Sequence, residues 1–193
     1  EQQSRNYRIH EEFLNHIDIK PENIHIPDGT IAEKKVSEYC EAYDRAAGKI
    51  DLMIIGVGEN GQIGFNESGS YARSRTRLVQ LTYNTRKTQS GAFYGLENTP
   101  KLAITMGIGT IMRAKRIILM AWGENKAQIV QKVVEGEVTS LVPASYLQAH
   151  SDIEVVIDEN AAQMLTREQT PWLVGPCEWT PKFVRKAVVW LCG

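Results

Sequence analysis

Residues 51–68 read DLMIIGVGENGQIGFNES, a stretch that few folds accommodate. An acidic residue opens it and the apolar run 52–55 follows, short enough for a buried strand. Gly56, Gly58, Gly61 and Gly64 then arrive in close succession, with Asn60, Gln62, Asn66 and Glu67 threaded among and after them. The reading is a strand running into a glycine-rich turn. Such a turn sits at the carboxyl end of a parallel strand, where open α/β sheets bind ligands. Glycine lets the main chain approach a ligand closely and turns its N–H groups toward it. A plain strand-to-helix loop is the alternative, and the interleaved polar residues weigh against it.

The rest of the chain alternates strand and helix patterns around this stretch. Tyr7, Phe13, Leu14 and Ile17 recur at roughly helical spacing, which predicts an amphipathic helix over 1–15. Ile24, His25 and Ile26, set among turn residues, predict a short strand. Thr30 with Glu33 forms a capping box for a helix that stops at Gly48. Arg73, Arg75 and Arg77 alternate, which suggests an extended segment with all three on one side. That row reads equally as a solvated edge or an anion site. Strands are expected over 78–82, 102–106, 116–122 and 153–157. Asn84 is placed to cap a helix toward Phe93, and Gly107 and Gly109 make a second glycine turn. Residues 123–125 turn into a helix that contains Lys126 and ends near Gly136. Asp158, Glu159 and Asn160 lead a helix to Leu165, and Pro181 opens a last one. Alternation of this kind predicts an α/β fold, a doubly wound, mostly parallel sheet flanked by helices.

Composition narrows the class. With 42% apolar and 23% charged residues, the chain is neither disordered nor membrane-spanning in character. Its net charge of −1, with both signs mixed, argues against a nucleic-acid surface. Cys40, Cys177 and Cys192 show no motif spacing and read as reduced thiols, which suggests the cytoplasm. The first residues already look helical and the last ones break off from an apolar helix, so a piece of a longer polypeptide is expected.

The motif GVGENGQIGFNES resembles the active-site signature of the glucosamine-6-phosphate deaminase/isomerase family, whose usual form is G-(V/I)-G-x-(D/T)-G-H-I-(A/G)-F-N-E-P. SRTRLVQLTYNTR, the stretch KLAITMGIGTIMRAKRIILMAWGENKAQIVQKVVEG, and SYLQAH followed by IEVVIDENAA resemble later parts of that family in the same order. The resemblance implies a modified Rossmann-like fold lacking its N-terminal part here. It implies a domain fragment over 1–165 and a C-terminal loop and helix over 166–193. The final stretch resembles a variant branch in which a deacetylase-like domain follows. The implied chemistry is conversion of an amino-sugar phosphate to a ketose phosphate and ammonia, with no metal and no organic cofactor. The implied partners are a small-molecule sugar phosphate and further copies of the chain, with no nucleic acid and no membrane.

Carried over by position, the resemblance assigns catalytic places to Glu67, Asn60 and Gln62. The family's ring-opening histidine falls on Gln62, and the carboxylate that many members carry falls on Asn60. Neither side chain exchanges protons near neutral pH. The glutamate that orients the histidine falls on Glu67 and is retained. The phosphate-contacting lysine falls on Lys126, at a helix N-terminal turn that suits an anion. Gly56, Gly58 and Gly61 are the expected substrate-binding glycines. A second phosphate-binding arginine falls on Gly91 and is missing. Arg77 matches an arginine of an allosteric sugar-phosphate site, whose partner lysine falls on Val79. The four histidines, His10, His16, His25 and His150, fall elsewhere and read as surface or structural. Trp122 and Met120 read as members of a buried strand.

Two functions therefore compete: a deaminase/isomerase with impaired ring opening, and a non-catalytic sugar-phosphate sensor. A related lactonase is a third reading. Lactonases usually carry a histidine at the position of Gln62 and lack the GFNE pattern.

Overall fold

The computed structural model describes residues 4–192. In chain order these form α1 (Arg5–Glu12), α2 (Val36–Ala47), β1 (Leu52–Gly56), β2 (Arg77–Gln80), α3 (Tyr83–Gln89), β3 (Leu102–Thr105), α4 (Ile108–Ile111), β4 (Arg116–Ala121), α5 (Ala127–Val134), β5 (Ile153–Ile157), α6 (Glu159–Ala162), α7 (Thr166–Gln169) and α8 (Pro181–Cys192), with short 3-10 turns between them. Packing divides the chain into two compact units. One holds the described residues up to Gly48 with Arg73–Thr110, and the other holds Lys49–Ala72 with the residues from Ile111 onward.

The first unit is built on α2. Val36, Cys40 and Asp44 recur every four residues and form its buried stripe. Asp44 is a charge on an apolar face, and burial alone would push its carboxyl up. Bonds from Arg75, Thr76 and Thr110 outweigh that and hold it below the usual carboxylate range. Arg75 Nε donates at 2.6 Å, Thr76 Oγ1 at 2.6 Å, the Thr76 N–H at 3.2 Å and Thr110 Oγ1 at 3.0 Å. One carboxylate thus joins α2 to the start of β2 and to α4. β2 and β3 pair antiparallel, Arg77 opposite Thr105 and Gln80 opposite Leu102. The Gly107 turn packs flat against the main chain of Ser74 and Arg75, where a Cβ at Gly107 would overlap two carbonyl oxygens. The Gly109 N–H donates to the Ser74 carbonyl at 2.9 Å.

Several local expectations change here. Residues 24–26 form no strand, because their neighbourhood is bonded to side chains of α2: Tyr43 Oη donates to the His25 carbonyl, and Tyr39 Oη accepts from the Asp28 N–H. Thr30 caps nothing. It donates its hydroxyl to Asp28, which also accepts the Thr30 N–H, so the aspartate makes a turn of its own. The 3-10 turn Glu33–Lys35 then leads into α2. Thr82, not Asn84, caps α3, accepting from the Thr85 N–H. The arginines do not form a row. Arg73 lies in an exposed turn, Arg75 is drawn to Asp44, and only Arg77 is in a strand.

The second unit holds a three-stranded parallel sheet in the order β1-β4-β5. Leu52 stands opposite Arg116, and Ile117 opposite Ile153. The core lies on one sheet face: Ile117, Leu119 and Ala121 of β4 are buried, as are Ile129, Val130 and Val133 of α5 and Ala161 of α6, while Met53 and Ile55 of β1 and Ile153 and Val155 of β5 are half-buried. Each buried valine, leucine or isoleucine among them stabilises the fold by roughly 1.5–3 kcal/mol, and each alanine by less. Parallel strands flanked by helices are the α/β architecture that the alternation predicts. β1 is not the buried strand its apolar run suggests. It pairs with β4 alone among the described strands, and Leu52 and Ile54 remain 48% and 60% exposed on one side of the pleat. Trp122 lies one residue beyond β4 and is 50% exposed, so it is not part of a buried strand.

The segment after residue 165 packs in this unit. Glu135, at the end of α5, accepts from the N–H and the hydroxyl of Thr166 at 2.8 and 2.9 Å. Farther on, Trp172 stacks on Trp179 at 5.9 Å and meets the edge of Trp190 of α8 at 6.3 Å. His150 is a satisfied structural histidine. Its Nε2 is 2.8 Å from the Ala114 carbonyl and its Nδ1 accepts from the Asp152 N–H, which fixes the tautomer. Among the described residues, no helix is long and apolar enough to cross a membrane.

Candidate functional site

The glycine stretch leaves β1 at Gly56 and folds back on itself. The Gly58 N–H donates to the Gln62 carbonyl and the Gly61 N–H to the Gly58 carbonyl, each at 2.9 Å. Ile63, the one aliphatic residue in the middle of the loop, is wholly buried and bridges to both Val57 and Asn66. Asn66 is buried as well, and its Nδ2 donates to the Ile63 carbonyl at 2.9 Å. Gly61 has φ 80, and an added Cβ would lie 2.7 Å from Val142 Cγ1. Its carbonyl accepts from the Ala144 N–H at 2.9 Å, and the loop's far end is held where the Gly69 N–H donates to Ser140. Gly58 and Gly61 therefore close and seat the loop, with both of their N–H groups engaged inside it.

Gln62 and Asn60 lie together in this turn. The Gln62 amide lies against Gly58, where a Cβ would overlap it, and its Oε1 accepts from the Asn60 N–H at 3.2 Å. The neutral pair thus braces the turn that holds it. Glu67 follows in the same loop and is half-buried, and its carbonyl accepts from the Ser70 N–H at 3.0 Å.

Lys126 comes to this loop from β4. It ends the 3-10 turn Glu124–Lys126 that precedes α5, and its Nζ donates to the Val57 carbonyl at 3.0 Å. A half-buried ammonium thus stands at the carboxyl end of β1, beside the glycine turn. Its neighbour Asn125 donates Nδ2 to Glu59 Oε1 at 2.7 Å, a second tie between the two loops. In sequence, Glu59, Asn125 and Asp158 receive no site role, although polar residues directly after predicted strands were the available signal. Arg77 belongs to the first unit. It is half-buried in β2, burial lowers its pKa, and its Nη1 donates to the Arg75 carbonyl at 3.4 Å.

Lys126 and the closed glycine loop thus stand at the carboxyl ends of parallel strands, where open α/β sheets bind their ligands. The chain belongs to the family of glucosamine-6-phosphate isomerases and 6-phosphogluconolactonases, whose model matches residues 1–157. It is 48% identical over 187 residues to a glucosamine-6-phosphate deaminase-like protein of Bacteroides thetaiotaomicron, covering 95% of this chain and 28% of that protein. It is 44% identical over 169 residues to a glucosamine-6-phosphate deaminase of Thermoanaerobacter sp., covering 86% of this chain and 66% of the relative. The chain thus spans less than two thirds of both relatives. A solved glucosamine-6-phosphate deaminase superposes with a TM-score of 0.80 at 38% identity, covering 85% of this chain and 68% of that one. A 6-phosphogluconolactonase from Trypanosoma cruzi shares the fold, with a TM-score of 0.63 at 18% identity over 86% of this chain and 69% of its own. The solved deaminase is described as monomeric, so it lends no support to the expected homo-oligomer.

Proposed function

We propose that the chain binds an amino-sugar phosphate at the carboxyl ends of β1 and β4, as part of a glucosamine-6-phosphate deaminase-like protein. The observation that carries this reading is Lys126, whose ammonium is held at the mouth of the glycine loop by the Val57 carbonyl. A phosphate is a stronger partner for an ammonium than a single neutral carbonyl. A relative named as a deaminase at 44% identity, and one named as deaminase-like at 48%, support the reaction class of aldose–ketose isomerisation with ammonia release. In this reading Glu67 is the remaining titrating group, and Asn60 and Gln62 bind sugar hydroxyls. Turnover is slow, because a positioned acid or base is typically worth about 10²–10⁴-fold and Gln62 supplies none. A cytoplasmic setting fits the three unpaired cysteines.

The test is release of ammonia and ketose phosphate from glucosamine 6-phosphate, before and after Gln62→His combined with Asn60→Asp. A gain in the double variant supports impaired proton transfer. An inactive protein that stays inactive removes that explanation.

The second reading, a sensor without turnover, draws on one observation: the Gln62 amide and the Asn60 N–H satisfy each other inside the turn. Calorimetric titration separates the two. Binding without turnover, lost in Lys126→Ala, supports the sensor, and no binding at all sinks both readings.

A further inference from the structure

Lys126 reaches Val57 from a short turn whose N-cap residue is bonded from behind. That residue, Gly123, lies two residues beyond β4 at φ 88 and ψ 158, a conformation that favours glycine. Its N–H is received by both oxygens of Asp158, at 3.0 and 3.1 Å. Asp158 stands directly after β5, and its Oδ1 also accepts from the Ala161 N–H at 2.8 Å, capping α6. The Gly123 carbonyl in turn accepts from the Lys126 N–H at 3.0 Å and closes the single turn Glu124–Lys126. The bond between Asn125 and Glu59 ties the middle of that turn to the glycine loop.

We propose that Asp158 is a positioning residue for Lys126, and that the carboxylate sets where the ammonium stands at the end of β1. The inference rests on the reading of Lys126 as the phosphate partner, and adds the group that makes the lysine a fixed rather than a roaming charge. Capping α6 needs one oxygen only. The second oxygen of Asp158 serves the Gly123 N–H alone, so the side chain does more than end a helix. Its influence passes through the main chain, from Gly123 to Lys126, and Asp158 itself touches no ligand.

Two measurements on the full chain test this. The first needs no ligand. Reductive methylation of Lys126 is followed by mass spectrometry and expressed relative to the exposed Lys87 and Lys182 in the same sample. Asp158→Ala is expected to speed Lys126 labelling severalfold, and Ile117→Val, which weakens the core elsewhere, is expected to leave the ratio unchanged. Labelling of Asp158→Ala at the wild-type ratio overturns the proposal, and so does an equal rise in Ile117→Val. Should Asp158→Ala not fold, Asp158→Asn replaces it. It keeps Oδ1 but sets an amide N–H₂ against the Gly123 N–H, and the same two outcomes decide.

The second measurement compares binding of glucosamine 6-phosphate with binding of glucosamine. Asp158→Ala is expected to weaken the phosphorylated sugar about tenfold, leave the unphosphorylated one unchanged, and add nothing to Lys126→Ala. Equal loss for both sugars overturns the positioning role. Absence of wild-type binding to the phosphorylated sugar overturns the phosphate reading of Lys126, while the labelling ratio still decides whether Asp158 holds the lysine in place.

Discussion

Thr76 gives both of its donors to Asp44: its hydroxyl reaches Oδ1 at 2.6 Å and its N–H reaches Oδ2 at 3.2 Å. One buried carboxylate thereby links α2 to the segment entering β2, and through Thr110 to α4. Asp44→Ala leaves two buried hydroxyls and one N–H without their acceptor. A loss of about 2–4 kcal/mol is expected, since each unsatisfied buried group costs ~1–3 kcal/mol and the exposed Arg75 finds water instead. Urea unfolding of the two proteins at pH 7 reads this directly.

The same carboxylate makes the fold acid-sensitive. Its pKa is held below the usual value in the folded chain, so its stabilisation is complete above the unfolded-state value of about 3.9. It is lost as pH falls through the lower folded value. Denaturant midpoints measured from pH 6 down to pH 2 should fall in that window, and Asp44→Asn should flatten that part of the curve. An unchanged slope in the variant would assign the acid loss to other carboxylates.

Gly58 and Gln62 form a steric pair. A methyl at Gly58 enters the space of the Gln62 amide. Gly58→Ala should destabilise the protein, and Gln62→Ala should relieve most of that loss, with a coupling of about 1 kcal/mol between the two. Additive thermal shifts across the four proteins would show that the amide swings away freely.

At Gly61 no such relief is available. The positive φ and the wall formed by Val142 and Ile129 leave an alanine both strained and crowded. Gly61→Ala is expected to cost about 2–4 kcal/mol, seen as a lower melting temperature. Val142→Ala in the same chain should recover only the crowding part.

Trp172 meets Trp190 of the C-terminal helix edge-on and stacks on Trp179 just ahead of that helix. Each contact is worth ~0.5–1.5 kcal/mol beyond area burial. Trp172→Ala should loosen α8 without unfolding the sheet, so limited proteolysis should cut near 181–192 while near-neutral stability of the remainder persists. Global loss of structure on this substitution would mean that α8 is part of the main core.

Much of the α/β order was readable in sequence, because β1, β4 and β5 are short apolar runs bounded by glycine or aspartate, and these signals are local. The position of Lys126 was readable for the same reason: a strand, a glycine and a helix start lie within a few residues of it. What could not be read depends on distant partners. Asp158 meets Gly123 across 35 residues and Glu59 meets Asn125 across 66, and no periodicity reports such pairings. Thr30 and the run 24–26 misled because their local signals were sound, but Asp28 and the tyrosines of α2 took the main-chain groups first. Likewise, an apolar run cannot tell a central strand from an edge, and β1 proved to be an edge among the described strands.

That edge has a consequence for handling the protein. β1 displays Leu52 and Ile54 beside a row of main-chain groups that no described strand takes up. Soluble proteins usually blunt such borders with lysine, proline or a bulge, and β1 has none of these within its five residues. Concentrated solutions of this chain should thus self-associate by strand addition at β1. A single charge, Ile54→Lys, should keep them clear while leaving the glycine loop and Lys126 untouched.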